Sequence, residues 1–151
     1  MNDIEHGITI STELARFELD RIYHWLTTEA YWSKGKPRHL FDRAIAHSTC
    51  FGAFLPSGEQ AAFARIVSDH ATFAYLCDVF VFPEHRGKGI STAIMDTIMA
   101  HPSTQYVRRF MLATTDAGGL YARYGFTPLA DPGRLMEKVV RRPYQQETRI
   151  A

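Results

Sequence analysis

The sequence predicts an α/β domain built on a mixed sheet with helices on both of its faces. Three apolar segments with strand character, residues 50–55, 60–68 and 72–82, follow one another with only short turns between them, which is typical of antiparallel hairpins. After them, helical and strand-like segments alternate, as they do in a strand–helix–strand unit with parallel strands. Together the two patterns predict a sheet that is antiparallel in its first part and parallel in its last.

The chain that precedes the hairpins predicts one short strand and two helices. Residues 8–10 form the strand, and Ser11 and Thr12 are residue types that cap the N-terminus of a helix. Apolar residues then recur on one helical face as far as Leu26, and again over residues 40–45. We therefore expect one helix directly after the strand and a second, shorter helix before the hairpins.

The chain that follows the hairpins predicts two more helices and three more strands. The helical segments are residues 90–100 and 116–124, with Asp116 as the N-cap of the second. The strand segments are residues 107–114, 126–129 and 135–140. The predicted order is β-α-α-β-β-β-α-β-α-β-β, in a single domain over residues 1–151 with a core of about 8–140 and a polar tail at 141–151.

Composition and charge exclude several classes of function. Hydrophobic residues make up 46% and charged residues 22% of the chain, and the net charge is +1, so no overall field favours nucleic acid or an anionic membrane. No apolar run approaches the ~20 residues that span a bilayer, and residues 1–6 lack the apolar core of a secretory signal. We expect a cytoplasmic protein without nucleic-acid or membrane partners.

The spacing of the cysteines and histidines predicts neither a disulfide bond nor a metal site. Cys50 and Cys77 each lie inside an apolar strand-like segment, which is typical of reduced, buried thiols. The seven histidines never recur at a spacing of three or four, and the two cysteines lie 27 residues apart. No metal site is expected.

The most informative segment is the loop after residues 72–82, which are almost continuously apolar, as in a central strand buried on both faces. The loop carries Arg86, Gly87, Lys88 and Gly89 and opens directly into a helix. A helix N-terminus offers unpaired backbone N–H groups and positive potential, and glycines let the main chain approach a ligand, so the loop suits a pyrophosphate. The alternative is an ordinary turn with solvated cations.

Other phosphate loops fit this segment poorly. A Walker A loop ends in Gly-Lys-Ser/Thr, whereas Lys88 precedes the second glycine here; a dinucleotide fingerprint needs three spaced glycines, and the segment has two. A phosphate-loop nucleotide enzyme is therefore the weakest of the functional hypotheses.

Residues 86–91, Arg-Gly-Lys-Gly-Ile-Ser, resemble the pyrophosphate loop Arg/Gln-x-x-Gly-x-Gly/Ala of the GCN5-related N-acetyltransferase (GNAT) superfamily. Ser91 replaces the final Gly/Ala and is small enough to keep the backbone accessible. The resemblance implies a central, mostly antiparallel, splayed sheet flanked by about four helices. It also implies a set of residues that bind acetyl-CoA: the loop residues Arg86, Gly87, Lys88, Gly89, Ile90 and Ser91, and the backbone of Val79 and Val81 in the preceding strand.

A second segment, residues 114–126, resembles the family's Leu-Tyr-x-x-x-Gly-Phe signature. Tyr121 matches the family's tyrosine, and the resemblance implies that its phenol lies near the CoA sulfur, where it can protonate the departing thiolate. A core tyrosine with a hydrogen-bonded hydroxyl is the alternative, and Tyr124 is the fallback acid. Thr114 stands where the family often has an asparagine that binds the pantetheine arm, and it can form one of those two hydrogen bonds.

Candidates for the base and for the acceptor site are less specific. Asp78 interrupts the apolar strand beside the proposed thioester contacts; it is either a base with a pKa raised by desolvation or a structural carboxylate with bound partners. Glu84 and His85, at the mouth of the loop, are expected to be solvated, and an ordered water chain could carry the proton instead. Tyr31 and Trp32 could form an aromatic wall against an amine cation, or belong to the core.

Two classes of function remain. The first is an N-acetyltransferase that uses acetyl-CoA as cosubstrate and moves the acetyl group to a small-molecule or peptide amine by direct attack in a ternary complex. No clear nucleophile motif predicts an acyl-enzyme, and a monomer or homodimer is expected. The second is a non-catalytic module that binds acyl-CoA and regulates a partner.

Overall fold

The computed structural model describes residues 7–30, 33–140 and 144. Its five-stranded sheet has the strands in chain order: β1 (Thr9–Ser11), β2 (Thr49–Phe54), β3 (Gln60–Ser68), β4 (Phe73–Val81) and β5 (Arg109–Leu112). The first four strands pair antiparallel, and β5 runs parallel to β4. The predicted mixed, mostly antiparallel sheet is confirmed.

Four helices flank this sheet and divide the core in two. The helices are α1 (Leu19–Thr28), α2 (Arg38–Ala46), α3 (Ile90–Ala100) and α4 (Gly118–Ala122). One buried cluster joins Ile94 and Ile98 of α3 to Phe51 of β2, with Tyr121 of α4 at its margin. The other joins the helices α1 and α2 to an aromatic layer, formed by Phe54, Phe63, Phe80 and Phe82. Apolar burial on both faces stabilises the sheet.

A β-bulge in β4 changes the face of the sheet toward which the side chains of this strand point. Phe63 pairs with Phe80 and Arg65 pairs with Cys77, so that Asp78 and Val79 together lie opposite a single residue of β3. Asp78 has a φ of 55°, the left-handed conformation that aspartate tolerates better than most residues. An extra residue reverses the alternation of a strand. Leu76 therefore packs with α3 before the bulge, and Val79 packs there after it.

The structure corrects the expectation that β4 is buried on both faces. Buried and half-buried residues alternate along the strand from Ala74 to Val81. The half-buried residues, Tyr75, Cys77, Val79 and Val81, all line a cleft beside β4. Because the bulge reverses the alternation, these half-buried residues do not share one face, and the apolar run is compatible here with a strand that borders a cleft.

Two predicted helix starts are wrong. The helix expected after Ser11 and Thr12 begins at Leu19, after a 3₁₀ turn at Leu14–Arg16, because the Ser11 hydroxyl accepts a hydrogen bond from Glu13 N only two residues on and forms a local turn. Asp116 does not cap α4. The helix begins at Gly118, and Thr114 Oγ1 accepts from Ala117 N at 3.0 Å.

The two strands predicted after α4 are also wrong. Residues 127–140 are all exposed, and the regular structure described there is one 3₁₀ turn at Pro132–Arg134. β5 likewise ends at Leu112 rather than at residue 114. The reason is topological, because a strand forms only where another strand offers hydrogen bonds, and periodicity does not reveal the partner.

Candidate active site

The candidate site is a groove at the point where β4 and β5 separate. The parallel pairing joins Phe73–Leu76 to Arg109–Leu112 and goes no further, so the main chain of β4 beyond Leu76 has no strand on that side among the described residues. A cleft of about 560 Å³ occupies the gap, lined by residues 75–81 of β4, residues 112–117 and Tyr121. The splayed sheet that was predicted is present, and it opens the backbone of β4 to a ligand.

A second cavity of about 330 Å³ continues this groove to the glycine-rich loop. Both cavities are lined by Val79, Val81, Arg86 and Tyr121, and the second also by Gly87, Gly89, Ile90 and Ser91. The structure thus brings most of the residues predicted from the loop motif together with Tyr121. Lys88 is exposed and lines neither cavity.

The loop presents its main chain at the N-terminus of α3. Gly87 and Gly89 have φ angles of 77° and 75°, and nothing lies within 4 Å of the position that a Cβ would take at either glycine. Gly89 is the residue before the helix, and no side chain caps the helix there. The first N–H groups of α3 have no partner inside the helix, so an anion in this open space would meet several donors and the positive end of the helix.

Arg86 is exposed and lines the groove, where its side chain contacts β4 and α1. Its Nε donates a hydrogen bond to Val81 O at 3.1 Å, and its guanidinium lies 5.7 Å from the centre of the Trp25 ring. Trp25 in turn stacks on Phe80 at 5.5 Å. The positively charged guanidinium of Arg86 therefore lies between the glycine-rich loop and the α1 side of the cleft.

Tyr121 and Tyr124 of the second motif have different surroundings. Tyr121 is buried, lines both cavities, and its burial raises the pKa of the phenol, with a further contribution from Asp116. The hydroxyl of Tyr124 lies 2.8 Å from Asp96 Oδ1 and 3.1 Å from Thr92 O on α3, so its single hydrogen is shared between these two acceptors. Desolvation and the bond to Asp96 raise the pKa of Tyr124 to about 12. The fallback acid Tyr124 is therefore bound to α3, away from the groove.

Asp78 lies at the bulge and forms a buried ion pair that sequence reasoning did not identify. Arg65 Nε donates to Asp78 Oδ2 at 2.7 Å, and the two side chains are 14% and 4% exposed. Arg65 Nη1 also donates to Ser48 Oγ at 2.9 Å. Burial by itself would lower the pKa of Arg65, but the charge and hydrogen bond of Asp78 raise it above its ordinary value. This arrangement favours the structural interpretation of Asp78.

Cys50 and Cys77 lie on either side of Arg65 across the sheet. Desolvation raises the pKa of the Cys50 thiol to about 12 and that of the Cys77 thiol to about 11. Cys77 lines the cleft and is half-buried rather than fully buried. A protonated thiol is a poor nucleophile, so these raised pKa values argue against a nucleophilic role for either cysteine.

One expectation about the mouth of the loop is wrong. His85 is buried rather than solvated, and neither of its ring nitrogens has a hydrogen-bond partner in the described structure. Its neighbours are exposed Glu84 and Glu59, which both pair with Arg21, and the Arg21 guanidinium packs 3.6 Å from the centre of the Phe82 ring. The carboxylates therefore already have a cationic partner.

The α1 end of the cleft contains one residue that the sequence motifs did not indicate. Trp25 lines the cleft there beside Glu29, which is the first residue of the segment 29–38 where the family resemblance implies the acceptor site. Tyr31 and Trp32, the predicted aromatic wall, lie outside the described residues. Trp25 belongs to the apolar face that the helical periodicity predicted, but periodicity alone does not show that a face continues into a cleft.

Comparison with known proteins places the chain in a family. The model of the acetyltransferase (GNAT) family matches residues 19–126, a range that contains both the glycine-rich loop and the tyrosine motif. The chain belongs to the GNAT family of acetyltransferases.

Three similar proteins illustrate the range of the likeness. A crystal structure from Xanthomonas campestris pv. campestris, described as a putative acetyltransferase of the GNAT family, is 54% identical with a TM-score of 0.87, covering 91% of this chain and 96% of that one. A Gibberella zeae protein named "putative acetyltransferase" is 29% identical over an alignment of 133 residues, which covers 76% of this chain and 75% of that protein. The glucosamine-6-phosphate N-acetyltransferase of Arabidopsis thaliana is 15% identical with a TM-score of 0.61, covering 87% and 97%, and shows the fold alone.

Among the described residues, no helix combines the length and the apolar character needed to cross a bilayer.

Proposed function

We propose that the protein is an acetyl-CoA-dependent N-acetyltransferase that moves an acetyl group to an amine by direct attack in a ternary complex. The observation that carries the proposal is the groove, which runs from the N-terminus of α3 past the open edge of β4 to Tyr121 and α1. One end suits an anionic, phosphate-bearing cosubstrate, and the other end is open to an acceptor. The sites of both reactants meet at the bulge.

The residues around the loop suit the cosubstrate. The backbone amides of Gly87, Lys88, Gly89, Ile90 and Ser91 would hold the pyrophosphate, with Arg86 adding charge. The open space over Gly87 and Gly89 supports this assignment, because a side chain there would fill it. Thr114 lines the cleft, and its oxygen already accepts from Ala117 N, so the hydroxyl would serve the pantetheine arm as a donor. Bound acetyl-CoA supplies the activated thioester.

The protein's own backbone and side-chain groups would each have a separate role in the reaction. Val79 and Val81 would present backbone groups to the acetyl oxygen and the pantetheine arm, aimed by the bulge. Tyr121, with a pKa raised by burial, remains protonated at neutral pH and would donate its proton to the departing thiolate. Asp78 would hold the bulge through Arg65, while water accepts the proton of the amine; Asp78 as the base is the alternative.

The acceptor would enter beside α1. Trp25 and Glu29 line the cleft there, and an indole face with a carboxylate suits a cationic amine. Tyr31 and Trp32 follow directly in the sequence and are proposed for the same site. A small-molecule or peptide amine is the expected class.

Substituting Gly89 by alanine is expected to weaken CoA binding about tenfold or more, since the left-handed conformation costs a non-glycine residue roughly 1–2 kcal/mol and a methyl group would enter the space proposed for the phosphates. Isothermal calorimetry with CoA measures the effect. Gly58→Ala is the matched control, because Gly58 has a φ of 93° and equally open surroundings in the β2–β3 turn. Equal loss of affinity in both variants would contradict the assignment.

A CoA-release screen tests the proposed function directly. The wild-type protein is incubated with acetyl-CoA and, in turn, polyamines, amino acids, aminoglycosides and peptides, and the free thiol of CoA is measured. We expect release with at least one class of amine, together with a product heavier by one acetyl group in mass spectrometry. CoA binding without release for any amine would instead support the non-catalytic acyl-CoA-binding module.

A further inference from the structure

Two carboxylates and one imidazole meet at the base of the glycine-rich loop. Glu84 and His85 belong to the 3₁₀ turn Pro83–His85 that follows β4, and Glu59 belongs to the turn between β2 and β3. One ligand atom from each of these three residues lies within 4.8 Å of the other two. We call Glu59, Glu84 and His85 the turn cluster. Sequence spacing does not reveal this set, because its members come from two separate turns.

The imidazole of His85 faces the two carboxylates of the turn cluster. Its side chain is 10% exposed, and neither ring nitrogen has a hydrogen-bond partner among the described residues. Nε2 lies 3.6 Å from Glu59 Oε1 and 3.9 Å from Glu84 Oε1, which is too far for a hydrogen bond. A buried polar group without a partner costs free energy, so a ligand that bonds to Nε2 would remove part of this cost.

The charged groups around His85 have an excess of negative charge. Arg21 pairs with three carboxylates, those of Glu18, Glu59 and Glu84. Three carboxylates and one guanidinium together have a net charge of −2, which a divalent cation would neutralise. The three carboxylate side chains are between 39% and 51% exposed, so they can move toward an ion.

Arg21 does not exclude a second cation from the turn cluster. Its Nη1 donates a hydrogen bond to Gln60 O at 2.9 Å, and its guanidinium packs 3.6 Å from the centre of the Phe82 ring. These contacts hold Arg21 in place without using the carboxylates. Arg21 contacts Oε1 of both Glu59 and Glu84, and each carboxylate has a second oxygen that can accept another partner. Arg21 and a metal ion can therefore share the two carboxylates.

We infer that the turn cluster is a binding site for a divalent transition-metal ion, of which Zn²⁺ is the best match. Imidazole nitrogen suits zinc, whereas magnesium and calcium prefer oxygen ligands. Tetrahedral ligands of zinc lie roughly 3.3–3.6 Å apart at the usual bond lengths, close to the separations of 3.6 and 3.9 Å found here. The ion would tie the β2–β3 turn to the residue that precedes Arg86, and so would stabilise the base of the glycine-rich loop.

Calorimetry with Zn²⁺ tests the site on the full-length protein, first freed of metal with a chelator. We expect one ion per chain and a higher Tm with Zn²⁺. Glu59→Gln and His85→Gln should each lower the Zn²⁺ affinity at least about tenfold, because even the outer partners of metal ligands contribute about 10–100-fold. Circular dichroism reports on folding. Glu59 is exposed in a turn, so Glu59→Gln tests the site even where His85→Gln does not fold.

Two exposed residues outside the turn cluster provide matched controls. Glu13→Gln and His47→Gln should bind Zn²⁺ as the wild type does. A wild-type protein that binds no Zn²⁺, wild-type affinity in a folded Glu59→Gln or His85→Gln protein, or an equal loss in a control would overturn the inference. These measurements concern binding and stability, so they stand apart from the proposed acetyl transfer.

X-ray absorption at the zinc edge identifies the atoms that bind the ion. The turn cluster predicts nitrogen and oxygen neighbours at about 2.0–2.2 Å and no sulfur. Sulfur at about 2.3 Å would place the ion on Cys50 or Cys77 instead, and that result would also overturn the inference.

Discussion

Replacing Tyr121 by phenylalanine should lower kcat by roughly 100-fold or more while CoA binds as before, since general acid catalysis contributes about 10²–10⁴-fold. The substitution removes one oxygen atom and keeps the ring that packs in the core beside Phe126. The substitution should therefore slow the departure of the thiolate and leave folding and CoA affinity unchanged. Steady-state kinetics with the acceptor found in the CoA-release screen, and calorimetry with CoA, measure the two quantities separately.

Tyr124→Phe is the matched control for this experiment. Tyr124 lies three residues further on, and its hydroxyl is bound to Asp96 and Thr92 O on α3, so kcat should change little. The pH profile gives an independent check. Because burial raises the pKa of Tyr121 above the ordinary value of about 10, the acid form persists at higher pH, and kcat should fall only above that range. Unchanged kcat in Tyr121→Phe would exclude its role as the acid.

Replacing Asp78 by asparagine should reduce the free energy of unfolding by about 3 kcal/mol or more, as is typical when one partner of a buried ion pair is removed. Asparagine tolerates the left-handed backbone at this position, so the change isolates the charge. It leaves the guanidinium of Arg65, which is 14% exposed, without the carboxylate that binds its Nε. Chemical denaturation monitored by circular dichroism measures the loss.

Two comparisons make the Asp78 prediction specific. Asp20→Asn removes the carboxylate of the exposed pair with Arg38, which has the same N–O distance of 2.7 Å, and should leave stability unchanged within error. Adding Arg65→Met to Asp78→Asn should restore much of the lost stability, since the unpaired buried charge is gone. A small effect in the single variant, or no recovery in the double variant, would contradict the structural role.

The kinetics of Asp78→Asn distinguish a role of Asp78 in positioning the main chain from a role as the catalytic base. If Asp78 holds the bulge, Asp78→Asn should raise the KM for acetyl-CoA, because the main chain of Val79 and Val81 is displaced, and the pH profile of kcat should keep its shape. If Asp78 is the base, kcat should fall and lose its dependence on pH on the acid side. The ion pair with Arg65 favours the first result.

Local sequence patterns by themselves determined much of the fold and the outline of the site. Residues 60–68 and 90–100 match a strand and a helix of the structure end to end, because period-two and period-3.6 patterns reflect which side of an element is buried. The glycines of residues 86–91 predict a loop whose main chain a ligand can approach, and Gly87 and Gly89 both have the left-handed backbone that glycine tolerates. Tyr121 followed from its place in the second motif.

Only the tertiary structure decided how distant segments meet. The bulge at Asp78, the partnership of Asp78 with Arg65, the burial of His85 and the place of Trp25 in the cleft all depend on residues from different elements. Residues 135–140 have the pattern of a strand, yet no strand of the described chain pairs with them. The physical reason is the same in each case: periodicity and propensity are local properties, whereas ion pairs, clefts and strand pairing depend on which other segment lies alongside.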